Sequence, residues 1–91
     1  MDFTWDSAKA AANLKKHGVA FAEAATVFGD PLSTTYHDPD HSADEDRYLL
    51  IGQSSAGRLL IVAHAERGDE IRIISARQAT QRERRDHEEE R

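Results

Sequence analysis

The sequence contains no cysteine, which excludes disulfide staples and thiolate metal sites. No apolar run approaches the ~20 residues needed to span a bilayer. The start, Met1-Asp2-Phe3-Thr4-Trp5, lacks the basic residues and apolar stretch of a secretory leader, so the expected compartment is the cytoplasm. Repeats, low-complexity linkers and heptads are also missing. With 91 residues the chain has room for one domain, residues 1–91, and only a thin core that a partner would help to stabilise.

Net charge is −5, at first sight wrong for a nucleic-acid binder, but its distribution matters more than its sum. Asp38 to Asp46 holds five acids and no base, and Asp86 to Arg91 holds four acids and one base. The rest of the chain is therefore mildly basic, compatible with a surface that contacts phosphate.

Phe3-Thr4-Trp5 reads as a short opening strand. Asp6 is a good N-cap for an Ala-rich helix from Ser7 to His17, and Gly18 supplies the left-handed residue that ends it. Phe21, Ala24, Ala25 and Phe28 recur at i, i+3, i+4 and i+7, predicting a second helix from Phe21 to Phe28 that Gly29-Asp30-Pro31 terminates. Leu32 to Tyr36 suits a strand, and His37 to Asp46 has loop composition. Arg47 to Gln53, Arg58 to Glu66 and Glu70 to Ala76 predict three strands of an antiparallel meander. Ser75 and Gln78 form a capping-box pattern for a charged final helix. With so little apolar surface, that helix is expected to fray over 86–91 or to order on a partner. The order β-α-α-β-β-β-β-α gives an α+β fold, with an antiparallel sheet packed against two N-terminal helices.

If Gln53 pairs with Arg58 and Glu66 with Glu70, then Arg47, His64 and Arg72 stand abreast on three adjacent strands. A histidine between two arginines is repulsive unless an anion sits there, which makes this a candidate phosphate site. A slip of one residue would dismantle it. RNA cleavage through the ribose 2′-oxygen needs a proton acceptor, a proton donor and cations on the phosphate, and no metal or cofactor. His64 suits the acid or base, Arg72 and Arg77 the phosphate clamps, and Glu66 or His17 the second proton transfer. The competing readings are structural: His64 as an ordinary strand residue, Arg47 and Arg72 as partners of surface acids, His17 as a helix-terminal residue. His37, Asp38, Asp40, His41 and Asp44 offer hard ligands, but without a known metal-binding spacing, so no metal site is assigned.

Three segments together resemble the BrnT toxin family. The first is Trp5-Asp6-x-x-Lys9-Ala10-x-x-Asn13-x-x-Lys16-His17-Gly18-Val19-x-Phe21, followed by Ala24-Ala25 and Asp30-Pro31. The second is Asp38-Pro39-Asp40-His41-Ser42, then Asp44-Glu45-x-Arg47. The third is Ile71-Arg72-Ile73-Ile74-Ser75-Ala76-Arg77-x-Ala79-x-x-x-Glu83-Arg84. Ala20 departs from the pattern, since Ser or Asp would cap the second helix better. The resemblance implies a RelE-like fold and a ribonuclease toxin that stops translation. It also implies a BrnA-like antitoxin that neutralises the toxin and alone contacts operator DNA, with a toxin dimer inside the complex. Lys9, His17, Arg47 and Glu83 join the site as candidate RNA-contacting residues, while Trp5 doubles as a core anchor. The alternative from another class is an inactive module that serves only as an antitoxin partner or co-repressor.

Overall fold

A computed structural model describes residues 1–38, 40 and 45–90. The elements are β1 (Asp2–Thr4), α1 (Ser7–His17), α2 (Phe21–Thr26) running into a 3-10 turn (Val27–Gly29), β2 (Thr34–His37), β3 (Arg47–Gln53), β4 (Leu59–Arg67), β5 (Glu70–Gln78) and α3 (Gln81–Glu90). They build an α+β domain around a five-stranded sheet of order β1-β5-β4-β3-β2. The sheet is mixed rather than purely antiparallel, because β1 pairs parallel with β5. No helix is long and apolar enough to cross a membrane, among the described residues.

Local chemistry accounts for α1 as expected. The Asp6 carboxylate accepts the Lys9 amide at 3.0 Å, and Gly18 turns left-handed at φ 68°. α2 is shorter than its apolar stripe suggested: Val27–Gly29 tighten into the 3-10 turn, and Ala20 offers no side-chain cap. One face of the sheet packs under these helices. Val19, Phe21, Ala24 and Val27 meet Leu50, Leu60, Val62, Ile73 and Ala76 in one buried cluster. Burial of such side chains stabilises by ~1.5–3 kcal/mol each and dominates the fold.

The final helix does not begin at Ser75. β5 continues to Gln78, and the capping box lies five residues later, at Thr80 and Glu83. Their reciprocal bonds, Thr80 amide to Glu83 carboxylate at 2.8 Å and Glu83 amide to Thr80 hydroxyl at 3.1 Å, are the Thr-x-x-Glu form of the same motif. α3 is helical from Gln81 to Glu90 and buries His87.

Both hairpins slip by one residue from the expected pairing. Gln53 pairs with Leu59, not Arg58, because the turn between them has five residues and closes through the Ser54 amide and the Arg58 carbonyl. Arg67 pairs with Glu70 across a two-residue turn at Gly68 (φ 61°) and Asp69. Each slip moves side chains to the opposite face. Their combined effect is a row Arg47–Ala65–Arg72, with Ala65 where the histidine was expected. A bulge then interrupts β5, since Ala63 pairs with Ser75 but His64 with Ile73, leaving Ile74 over. The bulge resets the alternation, so that Ile73 and Ala76 both face the core while Ser75 and Arg77 face away.

Candidate functional site

The site follows from how α1 is fixed to the sheet. β1 covers β5 only as far as Arg72, which leaves the following stretch of β5 with an open edge. Asn13 fills it. Its side-chain amide donates to the Ala76 carbonyl at 2.8 Å and to the Val19 carbonyl at 2.9 Å, and its oxygen accepts the Ala76 amide at 3.0 Å. The side chain thus stands in for a strand and satisfies backbone groups that would otherwise be buried without partners. Lys9, Asn13 and His17 are spaced i, i+4, i+8, so the clamp sets a stripe of α1 along β5.

The sheet face turned away from the core carries the polar groups. Beside His17 it forms a concave cavity of about 540 Å³. Leu49, Ile51, Ile61 and Ala63 floor it, and Ser75, Arg77 and the α3 side chains wall it. Arg77 and Glu83 form a bidentate pair, with Nη1 and Nη2 donating to the two carboxylate oxygens at 2.7 and 2.9 Å. The guanidinium beside Glu83, helped by the Thr80 amide, holds that carboxyl down at about 2 against its ordinary 4.5. Glu83 is therefore ionised at any physiological pH and acts to orient Arg77. Nη1 also donates to the Gln78 carbonyl at 3.3 Å, yet five guanidinium donors leave some for a phosphate. At the other end of the cavity, Tyr36 donates its hydroxyl to Glu90 at 2.6 Å, and that hydrogen bond raises the phenol's pKa.

The candidate residues are divided by this arrangement. His17, Arg77 and Glu83 meet in the cavity. Arg47 and Arg72 stay abreast on the same face, each one strand from Ala65, so their backbones are ~10 Å apart. Lys9 sits at the edge, where Asp6 feels the charges of both Lys9 and Arg72. His64 is elsewhere. It is 1% exposed and points into the core, stacked on Tyr48 with centroids 5.7 Å apart and edge-on to Phe28 at 4.8 Å. Burial pushes its pKa down. The expected Arg47–His64–Arg72 trio is thus corrected, since the register turns the imidazole to the face opposite the arginines. Glu66 is exposed near the β4–β5 turn, outside the cavity.

Tyr36, Ser75, Asp86, His87 and Glu90 also line the cavity, and none of them is among the residues that the sequence singles out as a site. The signal was present in α3, where Glu83, Asp86, His87 and Glu90 recur at i, i+3, i+4 and i+7. Trp5 is 39% exposed and meets Phe21 edge-on at 6.0 Å, an anchor with one side in solvent. Among the described residues no group of three or more His, Asp or Glu is placed to hold a metal ion. Of the loop that suggested hard ligands, His41 and Asp44 lie outside the described residues, and His37 pairs with Asp46 at 3.3 Å.

Comparisons with known proteins agree on the family and the fold. Residues 5–83 match the family model for the ribonuclease toxin BrnT of type II toxin–antitoxin systems. The fold is similar to the 1.1 Å crystal structure of the Brucella abortus ribonuclease toxin BrnT, with a TM-score of 0.65 and 27% identity over 89% of this chain and 99% of that one. No curated protein matches the sequence.

Proposed function

Because the chain belongs to the BrnT family of type II ribonuclease toxins, we propose that it cleaves RNA through the ribose 2′-oxygen, without a metal, at the cavity shared by His17, Arg77 and Glu83. The observation that carries this reading is the convergence there of a partly exposed imidazole and an oriented guanidinium. His17 takes the 2′ proton, and the freed oxygen attacks the adjacent phosphorus. Arg77 stabilises the charge that develops on the phosphorane. The bond to the 5′-oxygen breaks, that oxygen takes a proton from water, and a 2′,3′-cyclic phosphate remains. Glu83 is a positioning residue that keeps the Arg77 fork in place. Arg72, Arg47 and Lys9 lie along the same sheet face and its α1 edge, and hold neighbouring phosphates.

On this reading cleavage halts translation, and a BrnA-like antitoxin neutralises the toxin. Operator DNA is reached only through that antitoxin, with two toxin copies in the complex. The test is cleavage of RNA by the purified protein in EDTA. Wild type should leave cyclic-phosphate ends and spare RNA that carries 2′-O-methyl groups. His17→Ala should lose ~10²–10⁴-fold in rate and Arg77→Ala ~10²–10³-fold, with both variants still folded by circular dichroism. Activity that requires Mg²⁺, or that survives His17→Ala, refutes the assignment.

A further inference from the structure

The α3 wall of the cavity carries more negative charge than its surroundings offset. Glu83 is paired with Arg77. Asp86 and Glu90 follow on the same helix face at i+3 and i+7, and among the described residues no lysine or arginine forms an ion pair with either. Like charges at i, i+4 destabilise a helix, so this spacing works against α3 in the free protein. A second observation lies beside them. His87 lines the same cavity at 3% exposure, and its Nδ1 has no hydrogen-bond partner. The floor beneath is aliphatic. Two carboxylates without a cationic partner at one end of an apolar floor, on either side of a buried imidazole whose Nδ1 is unsatisfied, fit a ligand that is cationic at its tip and apolar along its stem.

We infer that this end of the cavity is the docking site for an arginine-bearing, otherwise apolar segment of the antitoxin, seated on Leu49, Ile51, Ile61 and Ala63 with its guanidinium between Asp86 and Glu90. This rests on reading the chain as a toxin with a protein antitoxin. A guanidinium presents a fork of donors that matches carboxylates, and such charge-assisted bonds are about twice as strong as neutral ones. The Tyr36 hydroxyl already holds one oxygen of Glu90, so that carboxylate is oriented before anything binds. RNA fits this end poorly, because its phosphates would meet the same two carboxylates. A segment seated here lies against His17 and Arg77 at the far end of the cavity and shuts substrate out.

The experiment titrates the full ¹⁵N-labelled chain with acetyl-Leu-Arg-Leu-amide, its citrulline counterpart, and a 2′-O-methyl oligoribonucleotide. The arginine peptide should shift the amides of Tyr36, Ile61 and His87 and bind at least tenfold more tightly than the citrulline peptide. Asp86→Asn with Glu90→Gln should abolish that preference while leaving the rest of the spectrum unchanged. Equal affinity for the two peptides, no shifts at these amides, or stronger shifts of the same amides by the oligonucleotide overturns the inference. RNA cleavage in EDTA is run alongside, on wild type and the double variant. If the preference holds but wild type does not cleave, the docking site stands and the ribonuclease assignment falls. If wild type cleaves without the preference, the reverse is true.

Discussion

Asn13→Ala is the substitution with the largest expected consequence for its size. The side chain is buried at 7% exposure and makes three hydrogen bonds to backbone groups, at 2.8, 2.9 and 3.0 Å. Truncation leaves the Ala76 amide, the Ala76 carbonyl and the Val19 carbonyl without those partners. A single bond lost with its partner stranded costs ~1–3 kcal/mol, and water entering the vacated space would recover part of that. A loss of about 3 kcal/mol follows, against a total stability of roughly 5–14 kcal/mol for a chain of this length. In melting temperature this is a fall of roughly 12–24 °C. Asn13→Asp is the sharper probe, because it keeps the acceptor for the Ala76 amide while turning a carboxylate towards two carbonyls. It should be at least as damaging at pH 7 and partly recover as the carboxyl is protonated. Urea unfolding monitored by Trp5 fluorescence measures both. A loss below ~1 kcal/mol for Asn13→Ala would refute the idea that this amide stands in for a missing strand.

Other perturbations test separate parts of the fold and site. Gly52→Ala places a Cβ 2.7 Å from the Ser33 Cβ and 2.9 Å from Val27 Cγ1, so overpacking should cost ~1–3 kcal/mol in urea unfolding. Glu83 has its folded-state pKa depressed to about 2, so its contribution is complete above 4.5 and is lost as pH falls towards 2. With side chains 33% and 42% exposed, the pair contributes ~1 kcal/mol after screening; the stability gap between wild type and Glu83→Gln should close between pH 6 and pH 2. His64 is also depressed, but as a base. It is neutral in both states above 6.5, and native stability falls as pH drops below that value until the folded-state pKa is reached. His64→Phe should flatten this slope in urea midpoints measured between pH 7.5 and 5, and should cleave RNA within threefold of wild type. A large loss of cleavage in that variant, with the fold intact, would return His64 to the active site.

Much of this architecture was legible because it is local. Asp6 and Gly18 mark both ends of α1 by side-chain and backbone chemistry that acts within a turn. The three long strands are evident from their apolar composition. Register was the weak point, since it depends on turns that differ by one residue. The same slip in both hairpins kept Arg47 and Arg72 together and exchanged His64 for Ala65. The Ile74 bulge was invisible for a related reason, because alternation read along β5 assumes an unbroken phase. The partnership of His17 with Arg77 and Glu83 crosses elements far apart in the chain, so no periodicity expresses it. The resemblance to a family had nonetheless placed all three among the candidate RNA-contacting or catalytic residues.

The way α3 is attached makes it a separate unit of opening. Among its residues only His87 is buried, and side-chain bonds to Arg77 and Tyr36 tie its two ends to the sheet. The free energy to lift it is therefore much smaller than that of global unfolding, which must break the core between α2 and the sheet. Its amides would exchange with solvent deuterium through local opening, at rates that denaturant barely changes, while Leu60 and Val62 would exchange only when the whole domain unfolds. Arg82, Arg84 and Arg85 would be cut by trypsin in the native state on the same principle. Ligands that fill the cavity under α3 would then be visible as slowed exchange of this helix alone.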